Sequence, residues 1–266
     1  MPVSRLKNIN FNHVSDPNQD ITFTVPKPYS FGKGGGSVSL KYNNNLLYFQ
    51  IPRMLCLYNL SMYKDDKTDK IKTINITLQF NSEADKPNRV DNFLKDISRL
   101  DNLVMATANK CHKTWLDYPR TIPIGALKAL YKKTLYHKVL PDGEIDHSVP
   151  PTFKIKIPYY NEKCNFILLD ENNKSRDFDL EYLQEKIVEK CYIKCIIKPK
   201  IWIVDKNFGI TYEVVALQII ENNEKHKYLQ NKKGKKNEDN ANKIENYFGK
   251  SKNDSDSEDE EDILDM

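Results

Sequence analysis

The sequence predicts an α+β fold in which short antiparallel strands stand on both sides of a helical middle, followed by a disordered C-terminal tail. Apolar and polar residues alternate over short runs near both ends of residues 20–221, which is typical of half-buried strands. Between these runs, apolar residues recur at steps of three and four, which is typical of one face of a helix. After residue 221 the chain loses its apolar residues and becomes rich in lysine and asparagine, which is typical of disorder.

The first strands follow an irregular arm over residues 1–19. Strands are predicted at residues 21–25, 37–42, 46–51, 54–63 and 71–80. The triplet Asn43-Asn44-Asn45 predicts a hairpin turn, because asparagine tolerates a positive φ angle. Five strands within about 60 residues, joined by glycine, asparagine and charged turns, favour an antiparallel barrel or sandwich.

The longest helix is predicted over residues 88–113, where Val90, Phe93 and Ile97 begin a single apolar stripe. A second, shorter helix is predicted over residues 124–136. The second half then returns to strands at residues 153–157, 164–169, 192–197, 201–205 and 211–220, with one more helix at residues 179–190.

In this second half, residues 164–169 are predicted to pair with 153–157, and Asn207-Phe208-Gly209 to form the last turn. Strands at both ends of a helical middle predict a single domain over residues 20–221. The specific prediction is an antiparallel β-barrel of the oligonucleotide-binding (OB) type, with inserted helices.

Composition and cysteine usage restrict where the protein works. No stretch approaches the roughly 20 apolar residues that a membrane span needs, and the N-terminus lacks the apolar core of a signal peptide. The 5 cysteines form no disulfide framework, so they are interpreted as reduced thiols of an intracellular protein. We therefore expect no membrane partner.

Charge is distributed unevenly along the chain. The formal net charge is +4, but residues 251–266 hold eight acidic residues and one lysine, a net of −7, so residues 1–250 carry +11. Such a basic body is typical of proteins that bind a polyanion. A composition rich in lysine and asparagine is also typical of AT-rich genomes. Codon usage does not explain, however, why the net charges of the body and of the tail have opposite signs.

Aromatic and basic residues share the predicted strands, which is the combination that binds single-stranded nucleic acid by stacking and phosphate contacts. Trp202 lies between Ile201 and Ile203 and is therefore exposed if those two residues are core. The alternative is that strand aromatics pack in the core, which the strand register decides. The candidate nucleic-acid-binding residues are Lys33, Lys41, Tyr42, Tyr48, Arg53, Tyr58, Lys198, Lys200, Trp202, Lys206, Phe208 and Tyr212.

Catalytic and metal-binding patterns are weak. The glycine-rich run around Lys33 lacks the Gly-Lys-Ser/Thr spacing of a nucleotide-binding loop, and is either a DNA-contacting loop or a plain hairpin connection. Cys191 and Cys195 have no nearby histidine to complete a zinc site. Asp96 and Asp101 fall on the long helix, where a solvated face explains them. We therefore predict no enzyme activity, no metal and no cofactor.

The tail contains a short apolar island over residues 241–250. Ile244, Tyr247 and Phe248 match the three apolar positions of the box by which replication and repair proteins bind the sliding clamp, a PCNA-like ring. One helical turn places such residues on one side as an apolar plug. Ala241 stands where the box has glutamine. The alternative is a chance apolar triplet in a linker.

The acidic tip, residues 254–266, closes on Ile263-Leu264-Asp265-Met266. It resembles the acidic tips of bacterial and phage single-strand binding proteins, which occupy the basic groove of the body and yield to DNA. The alternative is a solubilising tail.

Two segments of the body also resemble a known family. Residues 200–214 (Lys-Ile-Trp-Ile-Val-Asp-Lys-Asn-Phe-Gly-Ile-Thr-Tyr-Glu-Val) and 150–158 (Pro-Pro-Thr-Phe-Lys-Ile-Lys-Ile-Pro) are similar to single-strand DNA-binding proteins of large nucleocytoplasmic DNA viruses. The resemblance implies an OB-like barrel without enzyme activity. It also implies a role in coating single strands in viral replication factories, in the host cytoplasm or nucleus.

The sequence thus predicts a single-stranded DNA-binding protein of viral replication, repair or recombination, whose tail regulates binding and recruits partners. One alternative is an accessory or scaffold protein of replication or transcription that binds the clamp or the polymerase through its tail. Another is a nucleic-acid enzyme.

Overall fold

The computed structural model describes residues 21–30, 35–81, 84–85 and 88–220. The predicted arm, Lys33 and the tail with residues 241–250 and 254–266 lie outside the described residues. The described part is mainly β-sheet with a few helices. The helices are α1 (Arg89–Lys110), α2 (His112–Leu116), α3 (Ile124–Leu130) and α4 (Leu180–Lys186).

Strands occur before, between and after the helices. In chain order they are β1 (Ile21–Phe23), β2 (Lys27–Pro28), β3 (Gly35–Tyr42), β4 (Asn45–Leu46), β5 (Phe49–Gln50), β6 (Met54–Cys56), β7 (Ser61–Lys64), β8 (Ile71–Gln79), β9 (Tyr131–Lys132), β10 (Leu135–Tyr136), β11 (Thr152–Ile157), β12 (Tyr159–Tyr160), β13 (Lys163–Cys164), β14 (Ile167–Leu169), β15 (Ser175–Arg176), β16 (Tyr192–Val204) and β17 (Asn207–Ile220).

Five of these strands pair in a closed circuit. Hydrogen bonding runs from β16 to β6, β8, β11 and β17, and β17 pairs with β16 again. The β11–β17 pair is parallel and the other four pairs are antiparallel. Strand β3 adds to β16 outside this circuit. The sheet is therefore a ring of five strands with further strands attached to it.

The last hairpin differs from the prediction. The predicted strands 192–197 and 201–205 form one strand, β16, and the turn lies at Asp205 and Lys206 rather than at residues 207–209. Both turn residues have a positive φ, 48° and 66°, as a two-residue hairpin of the primed type requires. Phe208 therefore lies within β17, where its side chain points either into the core or to the outer side of the sheet.

Several other predicted elements are confirmed or corrected. The turn at Asn43 and Asn44 is confirmed by φ angles of 47° and 63°, and the long helix is confirmed as α1. The predicted helix 124–136 ends at Leu130, after which the chain is extended in β9 and β10. The prediction that residues 164–169 pair with 153–157 is wrong, because β14 pairs with β15 and with β17.

The core lies between α1 and the inner side of the ring. Phe93 of α1 contacts Phe153 of β11 with ring centroids 5.7 Å apart, and Phe153 contacts Tyr212 of β17 at 5.8 Å. Edge-to-face contacts of this kind stabilise a core beyond the apolar area that they bury. They hold the helix on the sheet, so that the opposite side of the strands remains available to solvent.

The carboxylates of α1 are not all solvated, contrary to the prediction. Asp96 and Asp101 are buried, with exposed fractions of 7% and 9%. Asp101 accepts hydrogen bonds from the Tyr131 hydroxyl at 2.6 Å and from the Thr134 hydroxyl at 2.8 Å. These bonds connect the middle of α1 to the segment that follows α3.

None of the four described helices combines the length and apolar character needed to cross a bilayer.

Candidate nucleic-acid interface

The outer side of five adjacent strands carries four residues of the predicted site, namely Lys41, Lys198, Lys200 and Trp202. Residues directly opposite one another in paired strands point to the same side of a sheet. The register therefore assigns rows of outward residues to β3, β16, β17, β11 and β8. The rows are Ser37, Trp202 and Gly209; then Ser39, Lys200 and Thr211; then Lys198, Glu213, Lys156 and Asn75.

Lysines border these rows on both sides. Lys27 is paired with Ser37, and Lys41 and Lys154 continue the outward alternation of β3 and β11. We call this surface the cationic face and define it by Lys27, Lys41, Lys154, Lys156, Lys198, Lys200 and Trp202. Its inner counterparts on β16, Ile201 and Ile203, are buried. Because one side of the strands is core, the cationic face is the side open to a ligand.

Trp202 lies near the middle of the cationic face and is half-buried. The prediction that it points away from Ile201 and Ile203 is confirmed by the burial of both isoleucines. Its indole packs against Gly209 of β17, where a β-carbon would lie 3.0 Å from Cζ2 and 3.1 Å from Cε2. The ring is thus held against the sheet while part of it stays exposed. That it stacks on a base remains a prediction.

One acidic residue interrupts the cationic face. The Glu213 carboxylate is paired with the Lys198 ammonium across β16 and β17, with an Nζ–Oε2 distance of 3.0 Å. Burial, and then the negative charge of Glu213, raise the pKa of both Tyr29 and Tyr160. At Tyr160 the charge of Lys198 opposes this rise in pKa. Two partly exposed phenol rings therefore lie within electrostatic reach of this ion pair.

Other predicted residues surround the cationic face or serve the fold. Lys206, in the β16–β17 turn, has its ammonium 4.8 Å from the centre of the Tyr118 ring. Tyr58 is exposed on the loop between β6 and β7. Tyr42 is packed against the core at its edge, and Tyr48 is half-buried beside β5.

Arg53 is held by structural contacts. Its backbone N–H donates to Asp85 at 2.6 Å, its Nε donates to the carbonyl of Ala84, and its guanidinium lies 5.1 Å above the Tyr192 ring. The side chain is thereby used to connect β6 to the segment before α1. Phosphate binding by Arg53 remains a prediction, but it would have to compete with these contacts.

Phe208 and Tyr212 are not part of an interface, which corrects their prediction. Their exposed fractions are 0% and 1%, because the even-numbered side chains of β17 from Phe208 to Val214 point into the core. Phe208 packs on Tyr131 with ring centroids 5.2 Å apart. Neither ring can reach a base from this position. The sequence predicted the turn at residues 207–209, two residues too late. Phe208 was therefore assigned to the turn, and the alternation of β17 was not applied to its side chain.

Three lysines of the cationic face, Lys27, Lys154 and Lys156, were absent from the predicted set, as were Tyr29 and Tyr160. Lys154 and Lys156 alternate with buried Phe153 and Ile155, so their outward direction could have been inferred from the alternation. Tyr29 and Tyr160 lie in short strand-like segments without such a signal. Only the effect of the Glu213 charge on their pKa connects them with this surface.

A cleft of about 710 Å³ lies between two β-hairpins, β7–β8 and β12–β13. Its lining includes two lysines, Lys64 and Lys70, and two acids, Asp69 and Glu162. Lys64 is paired with Asp69 at 3.1 Å. The balanced charge means that this cleft does not extend the cationic face.

Metal and thiol chemistry contribute little to the described part of the chain. Within residues 21–30, 35–81, 84–85 and 88–220, no group of three or more histidine, cysteine, aspartate or glutamate side chains could hold a metal ion. The cysteines are free thiols, and burial raises the pKa of Cys195 well above its ordinary value. A raised pKa keeps a thiol protonated and unreactive.

Comparisons with known proteins give only distant matches among solved structures. No family model matches the sequence, and no curated protein matches it either. Among solved structures, the single-stranded DNA-binding protein of bacteriophage Enc34 in complex with ssDNA is similar with a TM-score of 0.44 and 13% identity, covering 74% of this chain and 95% of that chain. The single-stranded DNA-binding protein gp2.5 of bacteriophage T7 has a TM-score of 0.39 and 14% identity, covering 65% of this chain and 91% of that chain.

Proposed function

We propose that the described domain binds single-stranded DNA, without strong sequence preference, on the cationic face. The observation that carries this proposal is the position of Trp202, a partly exposed ring in a lysine-lined surface whose reverse side is core. Lysines neutralise phosphates, and an exposed ring stacks on a base of any identity. The proposed contacts are made by Lys41, Lys198, Lys200 and Trp202, with Tyr58 and Lys206 at the margins.

The ring of five strands supports an OB-like description, which we adopt as part of the proposal. In OB barrels the second and third strands, and the loops between strands one and two and between four and five, bind oligonucleotides. Taking β6, β8, β11, β16 and β17 as the five strands, Lys154 and Lys156 lie on the third strand. Tyr58 lies in the first loop and Lys206 in the last. Tyr58 and Lys206 thus fall in the two loops with which this architecture binds its ligand, whereas Lys198, Lys200 and Trp202 lie on the fourth strand.

The tail completes the proposed mechanism. Its acidic tip, with a net charge of −7 over residues 251–266, competes with DNA for a body that carries +11. Ile244, Tyr247 and Phe248 recruit a sliding clamp, and the tail binds other replication proteins. The protein has no catalytic role and works inside the cell, in a viral replication factory. These steps rest on the sequence of residues 222–266.

A fluorescence titration with oligo-dT at several salt concentrations tests the proposal. Single-strand binding loses affinity with a log–log salt slope of about −0.7 per neutralised phosphate, so the four proposed lysine contacts predict a slope of about −3. Trp202 emission should change on binding, whereas Trp115 is buried and should respond little. A salt-independent affinity, or no binding at low salt, would reject the proposal. Retained clamp binding without DNA binding would favour the accessory-protein alternative.

A further inference from the structure

Two short strands outside the five-strand ring, β9 and β10, bring further side chains to the outer surface. Strand β9 pairs with β17, and Lys132 is the residue opposite Gly209. The preceding pair, Tyr131 and Phe208, is buried, with ring centroids 5.2 Å apart on the inner side. Side chains alternate along a strand, so Lys132 points outward, where it is exposed.

Lys132 is therefore the next side chain beyond Trp202 in one row across the sheet. The Trp202 indole lies over Gly209, and the neighbouring strand that carries Lys132 is about 4.8 Å from β17. At the other end of the same row, Lys27 is paired with Ser37, which is paired with Trp202. The row thus has a lysine on each side of the indole. A base stacked on this ring would find a cation on either side for its flanking phosphates.

Tyr136 of β10 carries a second exposed ring on the outer side of the sheet. It lies opposite Thr152 of β11, whereas the adjacent pair, Leu135 and Phe153, packs in or against the core. The outward direction has independent support from Lys154, two residues after Thr152, whose ammonium lies 5.4 Å from the centre of the Tyr136 ring. The Tyr136 side chain is 53% exposed. A ring beside a lysine is the combination that binds one nucleotide of a single strand.

The chain between Lys132 and Tyr136 is anchored from the core side. Asp101 of α1 accepts hydrogen bonds from the hydroxyls of Tyr131 and Thr134, at 2.6 Å and 2.8 Å. The two outward side chains are therefore presented by a backbone that is held in place, so that binding loses less free energy to ordering of the protein. Four residues of chain span at most about 14 Å, which keeps Lys132 and Tyr136 within reach of one short stretch of a single strand.

We propose that segment 132–136 extends the binding site beyond Trp202, with Lys132 bound to a phosphate and Tyr136 stacked on a second base of the same single strand. The inference rests on the proposed function and adds two contacts to it. Neither contact reads the identity of a base, because every base has a stacking face and every nucleotide a phosphate. The segment therefore lengthens the site without making it sequence-specific.

Photocrosslinking of the full wild-type chain tests the inference without any substitution. The probe is oligo-dT in which iodouracil replaces thymine at alternate positions, and peptide mass spectrometry locates the adducts. Rings in contact with the bases should be modified, so adducts are expected at both Trp202 and Tyr136. Adducts at Trp202 without any at Tyr136 would overturn the second stacking site.

Two substitutions of Tyr136 separate stacking from other roles of the ring. Tyr136→Phe keeps the aromatic face and should bind oligo-dT like the wild type. Tyr136→Leu should bind at least about fivefold more weakly, which is the lower end of the contribution of one stacked base. Both should keep the wild-type salt slope, because no charge is removed. Equal affinities of the two variants would contradict stacking, and a slope flatter by about 0.7 in Tyr136→Leu would mean that the ring only positions Lys154.

Lys132→Gln tests the phosphate contact. It should flatten the log–log salt slope by about 0.7, the value for one neutralised phosphate. Lys95→Gln is the matched control, because it removes the same charge from an exposed position of α1, the helix on the core side of the ring, and it should keep the wild-type slope. Equal slopes of these two variants would overturn the contact.

Failure of the inference is distinguishable from failure of the proposed function. Absence of any binding of the wild type to oligo-dT at low salt would reject the proposed function. Binding that depends on Trp202 but on neither Lys132 nor Tyr136 would reject the extension alone.

Discussion

The indole of Trp202 lies over the position that a β-carbon of Gly209, its partner across the β16–β17 hairpin, would occupy. A β-carbon at Gly209 would come within 3.0 Å of Cζ2 of the indole and within 3.0 Å of the Lys132 carbonyl oxygen. The absence of a side chain at this position therefore lets both the Lys132 carbonyl of β9 and the indole lie close to β17. The orientation of the main candidate stacking residue depends on a glycine.

Gly209→Ala should destabilise the fold and displace Trp202. The Lys132 oxygen belongs to backbone and cannot move freely, so overpacking of this kind should lower the free energy of unfolding by about 1–3 kcal/mol. Urea denaturation measures the loss. Gly125→Ala is the control, because a β-carbon there meets nothing within 4 Å in helix α3. It should leave stability unchanged or raise it by up to about 1 kcal/mol. Equal effects of both substitutions would contradict the packing argument.

Trp202→Ala should weaken binding to oligo-dT by about 1–3 kcal/mol, the contribution of one stacked base. The salt slope should stay close to that of the wild type, because no lysine is removed. Trp115→Phe is the comparison variant, since Trp115 is buried and contacts Phe23 with ring centroids 5.7 Å apart. It should keep both affinity and fluorescence response. Wild-type affinity in Trp202→Ala would show that another ring stacks on the bases.

Removal of residues 251–266 should tighten DNA binding at low salt, because a net charge of −7 that competes for the cationic face is lost. The difference between the full and truncated chains should shrink as salt screens both interactions. Equilibrium titrations at low and high salt measure it. Unchanged affinity at low salt would exclude competition by the tail.

Tyr131→Phe should lower the free energy of unfolding by about 1.5–3 kcal/mol, because it removes a hydrogen bond to the buried Asp101 carboxylate. Burial already raises the pKa of Asp101, and the Tyr131 and Thr134 hydroxyls oppose that rise. Tyr136→Phe removes the same hydroxyl from a residue that is 53% exposed, and it should be nearly neutral. Thermal denaturation compares the two variants, and similar melting temperatures would contradict the role of this bond.

The pH dependence of stability should include a contribution from Asp96. Burial raises the pKa of Asp96 from 3.8 to about 6, and Arg99 partly opposes the rise. The folded state therefore binds a proton more tightly than the unfolded state, so stability falls as pH rises from about 3.8 to about 6. Asp96→Asn should remove this fall and be more stable than wild type above pH 6. Asp91→Asn, at an exposed position of the same helix, should keep the wild-type profile.

The sequence by itself determined the elements that local periodicity encodes. The stripe beginning at Val90 and Phe93 predicted α1, because a helix buries residues three and four apart whatever it packs against. Asn43 and Asn44 predicted their turn, because their tolerance of positive φ is a local property. The alternation around Trp202 predicted its direction for the same reason.

Tertiary structure alone decided which strands meet and which rings face solvent. Residues 164–169 could pair with any neighbour, and their partner, β17, comes almost 50 residues later in the chain. The turn at Asp205 and Lys206 set the register of β17, and a strand's register decides which alternate side chains are buried. This register places the side chains of Phe208 and Tyr212 in the core and that of Glu213 among the lysines. Pairing and register depend on contacts between distant segments, which no local pattern records.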